Sequence, residues 1–156
     1  MKRVVNAVLL LLAFVSISCW QNDSHVDMDF APSSTGDGYY EYGATIDGEM
    51  TWWKVPYVDV LRTPDWSPGT EPPLSLSQAV KLAEREVPKY TESPGEYRLD
   101  KVEWLNITNG APSNKWIYLV SFERSREKYK SRGTITIPVL LNGNVVQGRK
   151  GNRPPN

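Results

Sequence analysis

The clearest helical period in the chain lies in LSLSQAVKLAEREVPKY, residues 74–90. Ala79, Leu82, Ala83 and Val87 recur at i, i+3, i+4 and i+8 and form one apolar stripe, with Lys81, Glu84, Arg85 and Glu86 mostly off it. Ser75 stands three residues before Gln78, the spacing of a capping box, and Leu74 is placed to staple against Ala79 across the cap. Pro88 closes the run, because the residue before a proline disfavours the α region. The spacing predicts a helix over 76–87. A single amphipathic stripe of this kind needs another element to bury it, and the stretches after it are patterned as strands.

YRLDKVEWLNI, residues 97–107, places Tyr97 and Leu99 on one parity and Val102 and Trp104 on the other. Such a slip predicts a β-bulge near Asp100. WIYLVSFE, residues 116–123, alternates Trp116, Tyr118, Val120 and Phe122 against Ile117, Leu119, Ser121 and Glu123, which predicts a mostly buried strand with Trp104 and Trp116 in the core. GTITIPVLLNGNVVQG, residues 133–148, reads as a strand, a turn at Asn142-Gly143 and a returning strand, with Pro138 confined to an edge or a bulge. Upstream, residues 39–61 are aromatic and β-branched, and Asp47-Gly48 is a two-residue turn signal that predicts a short hairpin or extended arm. Four prolines and a glycine within residues 62–74 predict a linker. The expected class is α+β: one helix packed on a small antiparallel β-sheet, with an N-terminal aromatic β-hairpin or arm.

The N-terminus reads as an address. Lys2 and Arg3 precede Val4–Val15, an apolar run of 12 residues broken only by Asn6, and small residues Ser16 and Ser18 follow. That is the order of a secretory signal peptide, and the run falls short of the roughly 20 residues of a transmembrane span. A retained N-terminal anchor helix is the competing reading. Cleavage after Ser18 would expose Cys19, the only cysteine, at the new N-terminus. A bare thiol there would seek a partner in an oxidising compartment, and the sequence offers none. VSISC resembles a bacterial lipobox, in which the cysteine is lipidated, although Ser16 stands where Leu is usual. Cleavage further downstream, discarding Cys19, is the alternative. Residues 19–38 are acidic and rich in Ser, Gly and Asp without an apolar period, and are expected to form a flexible tether. Residues 149–156 are expected to be a disordered tail.

Composition excludes little. Hydrophobic residues at 40% and charged residues at 23% rule out collagen-like and fully disordered chains. A formal net charge of zero disfavours a nucleic-acid or membrane-coating protein. Charge is nevertheless segregated: residues 21–65 hold nine acidic and two basic residues, and RSREKYKSR, residues 124–132, holds five basic and one acidic.

LSLSQAVKLAEREV, YRLDKVEWL, KWIYLVSFE and ITIPVLLNGNVVQGRK, in that order, resemble the PepSY domain and its near relatives over roughly residues 74–148. In that family a helix beginning with Ser and carrying paired alanines packs on an antiparallel sheet. Ala79 and Ala83, Tyr118 to Phe122, and Asn142-Gly143-Asn144-Val145 occupy the corresponding places. Leu141 and Asn142 stand near the usual Asp of the last strand, and residues 39–73 have no counterpart. The resemblance implies a binding or inhibitory module, as found in propeptides of secreted thermolysin-type metallopeptidases and in envelope lipoproteins. It implies a peptide or protein partner, a peptidase among them.

No catalytic constellation is present. There is no Cys–His pair in a folded context, no Gly-rich phosphate loop and no G-x-S-x-G. Glu103 and Glu123 are expected to be solvated strand residues. His25, flanked by Asp23 and Asp27, lacks the three or four converging ligands of a metal site. No cofactor and no nucleic acid are expected. The sequons at Asn22 and Asn106 matter only in a eukaryotic secretory host. The candidate binding residues are Trp53, Trp66, Arg124, Arg126, Lys128 and Lys130, together with the sheet edge near Pro138. Adjacent strand residues face opposite ways, so at most one of Trp52 and Trp53 can join a single core. A carbohydrate or cell-wall module using Trp52, Trp53 and Trp66 is the second reading, and a structural envelope component without a discrete ligand the third.

Overall fold

The computed structural model describes residues 29–31, 38–107, 114–125 and 133–152. Among the described residues, seven strands and two α-helices follow one another, with two short 3-10 turns between α2 and β4: β1 (Asp29–Ala31), β2 (Tyr39–Ile46), β3 (Glu49–Pro56), α1 (Tyr57–Leu61), α2 (Leu76–Glu84), β4 (Tyr97–Asn106), β5 (Trp116–Arg124), β6 (Thr134–Leu140) and β7 (Gly148–Lys150). They form two antiparallel sheets, β1-β2-β3-β7 and β4-β5-β6. The chain is thus α+β, and the main helix, α2, lies on β5 and β6 as expected. Among the described residues no helix is long and apolar enough to cross a membrane.

The aromatic arm is a full hairpin. Asp47 and Gly48 both take positive φ, 51° and 86°, the geometry of a tight turn whose twist matches the strands it joins. The turn fixes the register, Ile46 with Glu49, Tyr42 with Trp53 and Gly43 with Trp52. Tyr40, Tyr42 and Ile46 then share one face with Thr51, Trp53 and Val55, and all six are buried. The Tyr42 and Trp53 rings stack at 5.0 Å. The hairpin does not pair with the β4-β5-β6 sheet. It packs Tyr42, Ile46 and Trp53 into the same core as α2, β5 and β6, and Tyr40 and Val55 into a second cluster with Ile117, Leu119 and Leu140.

Helix α2 begins at the capping box foreseen for it, with Ser75 and Gln78 each bonded to the other's backbone N–H. It stops at Glu84, three residues before the expected end. Pro88 has no N–H to offer the Glu84 carbonyl and its ring crowds that group, so the chain tightens into a 3-10 turn over Val87–Lys89. Ala79 and Ala83 are fully buried, and their small side chains let the helix approach the sheet closely.

β4 carries the bulge where the parity slips: Leu99 pairs with Phe122 and Lys101 with Ser121, leaving Asp100 unmatched. Leu99 is 47% exposed rather than sharing Tyr97's burial, because the bulge begins there. Pro138 lies on β6, an edge strand, with its missing donor on the outer side. That edge is not open. Val146 N–H donates to the Pro138 carbonyl at 3.0 Å, Leu140 N–H donates to Asn144, and Val145 bridges Val139.

Three stretches differ from their expected form. Asp29–Ala31, within the stretch read as tether, pairs with β2. Residues 62–74 are not a free linker: Trp66 N–H donates to Asn114, Lys115 to the Thr63 carbonyl, and the Tyr118 hydroxyl to the Leu74 carbonyl. Residues 144–150 make only one bridge to β6. They then cross to the other sheet, so Arg149 and Lys150 are not a disordered tail but part of β7, paired with Trp52 and Thr51 of β3.

Candidate functional site

Trp53 cannot serve as a binding residue. It is 0% exposed, held between Tyr42 and Tyr90, whose ring lies 5.1 Å away. Trp66 is half-buried and stacks on Trp104 at 4.3 Å and edge-on against Trp116 at 5.5 Å. Trp104 also contacts Tyr118, so Trp104 and Trp116 belong to a half-buried aromatic cluster rather than to the closed core. Trp53, named with Trp52 and Trp66 in the carbohydrate reading, has no exposed surface to offer a sugar ring.

Arg124 is not a free cation. Its guanidinium binds Glu96 through Nε and Nη2, at 2.9 and 2.7 Å, and Asp47 through Nη1 at 2.8 Å. Thr91 donates its hydroxyl to the same Asp47. Arg, carboxylate and hydroxyl thereby latch the β2–β3 turn to the end of β5. Arg126, Lys128 and Lys130 lie outside the described residues, as do Cys19 and His25. Glu103 lies opposite Leu119 and Glu123 opposite Arg98, so the two carboxylates are not cross-strand neighbours. Among the described residues, no group of three or more His, Cys, Asp or Glu converges on a metal position.

The perturbed titrations belong to tyrosines, and burial is the leading cause in each. It pushes Tyr118 up to about 12 and holds Tyr42 well above the ordinary value, with Tyr90 a further cause there. Tyr90 is raised by burial and Tyr97 by burial and the nearby Asp47. These hydroxyls are kept neutral. None is an activated acid or base poised near neutrality.

Two of the concavities among the described residues exceed 500 Å³. The larger, about 700 Å³, is polar and lies around Asp47, Glu49, Arg124 and Lys150. Its charges satisfy one another, Arg124 with Asp47 and Lys150 with Glu49 at 3.4 Å. The second, about 530 Å³, has the character of a recognition groove. Trp52 and Pro56 of β3 form one wall, and Leu140, Val145 and Val146 form the other. Lys54, Asp59, Asn144, Gln147 and Arg149 supply the polar rim. Gly43 lies across from Trp52, and a Cβ there would come within 2.8 Å of the indole, so the absent side chain lets the ring lie over β2. Lys54 sets its ammonium 3.4 Å over the Tyr39 ring. Asp59 is paired with Arg62, while Arg149 is exposed on β7.

Pro138 itself does not line this groove. The edge itself is covered by residues 144–146, and the covering segment builds the groove with the other tryptophan of the pair. The missing signal was in the hairpin: a two-residue turn at Asp47-Gly48 dictates which of Trp52 and Trp53 faces out. Arg149 carried no local signal, since its pairing with β3 is long-range. Compared with family models, with curated proteins and with solved structures, the chain matches none.

Proposed function

We propose that the protein is an exported, lipid-anchored bacterial envelope protein whose folded part is a non-enzymatic module that binds a peptide or protein partner in the Trp52 groove. The groove is the observation that carries the reading: an apolar trough of about 530 Å³, walled by an aromatic ring and rimmed by Lys54 and Arg149. An extended segment that buries one or two apolar residues there, and sets a carboxylate beside Arg149, satisfies both walls and rim. The PepSY resemblance supports the same class of partner and extends it to a secreted peptidase, restrained by occupation rather than by chemistry.

A random peptide library displayed on phage tests the binding claim. Wild-type protein is expected to enrich sequences with an apolar–acidic core, and Trp52→Ala or Arg149→Glu to lose them. Enrichment that survives both substitutions moves binding elsewhere. The anchor is tested by intact mass from the host membrane fraction. A chain beginning at lipidated Cys19 supports the anchor, and an unmodified N-terminus at or beyond Cys19 removes it.

A further inference from the structure

We infer that the outer edge of β4 pairs with the same edge of a second copy of this chain, antiparallel about a two-fold axis at Val102. β4 is the outer strand of its sheet, and among the described residues no strand lies beyond it. It runs ten residues without proline or glycine. The phase of its ladder is fixed at one end, where Ile107 N–H donates to the Lys115 carbonyl at 2.8 Å. Bonded and non-bonded pairs alternate in an antiparallel ladder. Leu105 and Glu103 therefore bond toward β5, and the backbone groups of Val102 and Trp104 point outward.

Edge strands are normally guarded by bulges or by charge. The bulge at Asp100 guards one end of β4 and confines pairing between copies to Lys101–Glu103. From Lys101 onward the guard is weaker, because Lys101 and Glu103 pair at 3.0 Å and cancel. The same two charges select the register. An axis at Glu103 would oppose two carboxylates, and an axis at Trp104 would oppose Glu103 and Leu105. An axis at Val102 sets each Lys101 opposite the partner's Glu103 and turns two ion pairs into one alternating cluster of four. Val102 then exchanges two hydrogen bonds with its symmetry mate. Val102 shares a face with Val120, so pairing also brings the two Val102 side chains together. A foreign strand would have to reproduce this charge order, whereas a second copy carries it by symmetry. The product is a six-stranded sheet, β6-β5-β4-β4-β5-β6.

The test mixes full-length chain in mild detergent with chain labelled uniformly with heavy nitrogen, then applies a carbodiimide, which joins amines to carboxylates without a spacer. The expected product is a Lys101–Glu103 cross-linked peptide containing one light and one heavy half. Lys101→Glu, which removes the amine of that link, is expected to lower the dimer fraction read by sedimentation about tenfold. Exchanging both charges, Lys101→Glu with Glu103→Lys, restores it. Cross-links confined to one isotope would report only the pair within each chain and would overturn the proposal. So would links from Lys101 or Glu103 to another protein, or a dimer indifferent to Lys101→Glu.

Discussion

Because Asp47-Gly48 closes a two-residue turn, pairing counts back along the hairpin to Tyr42 with Trp53 and Gly43 with Trp52. Two adjacent tryptophans are thereby given different work. Trp53 fills the core among Tyr42, Tyr90 and Val87, and replacing it would leave a cavity lined by rings that cannot collapse into it. Trp53→Ala is expected to cost about 3–5 kcal/mol in urea unfolding. Trp52→Ala removes a half-buried wall of the groove and is expected to cost well under half as much. Equal costs would mean that the register of the hairpin is wrong. Alternation alone told that one ring faces outward. Choosing which one required the turn, and the sequence around it, with Tyr40, Tyr42 and Ile46 on one parity and Glu41, Gly43 and Thr45 on the other, held that information.

At the scale of elements, helix α2, the hairpin and the β4 bulge were legible because each is set by residues near it in sequence: a cap, a turn, a slip in parity. β7 was not legible. Its three residues have no local β signal, and what holds them is Gly148. A Cβ there would meet the Trp53 ring at 2.7 Å, Thr51 at 2.9 Å and Tyr90 at 2.9 Å, and the Gly148 N–H donates to the Tyr90 hydroxyl at 2.8 Å. Gly148→Ala is expected to cost about 1–3 kcal/mol and to detach β7 before the rest of the fold loosens. Hydrogen exchange reads this directly. The amides of Trp52 and of Gly151, which donates to the Met50 carbonyl at 2.9 Å, should exchange faster, while those of β5 stay protected. Because Arg149 rides on β7, the same substitution should also weaken the groove. The segment 62–74 escaped a local reading for the same reason. Its prolines forbid regular structure, yet Trp66 finds Trp104 and Trp116 across the fold.

In the molecule as a whole, the two sheets share two apolar clusters and are latched by the Arg124–Asp47–Glu96 cluster. Buried tyrosines couple that interior to alkaline pH. Tyr118, raised to about 12, donates its hydroxyl to the Leu74 carbonyl at 2.6 Å and must stay protonated to do so. Its unfolded pKa is about 10. A group whose folded pKa is raised stabilises fully below the unfolded value and loses that contribution as pH rises through the folded one. Circular dichroism is therefore expected to show stability falling between about pH 10 and pH 12. Tyr118→Phe should start from a lower plateau, by about 1 kcal/mol, and fall less across that window. The central claim is the location of the binding groove, and one spectrum tests it. A peptide selected on the wild-type protein is titrated into nitrogen-labelled protein, and the indole and backbone resonances are followed. The account predicts that the Trp52 indole N–H shifts together with the amides of Lys54, Val145, Val146, Gln147 and Arg149, while the Trp53 indole stays still. Shifts clustered on the Trp66–Trp104 face or on α2, with Trp52 unmoved, would contradict it.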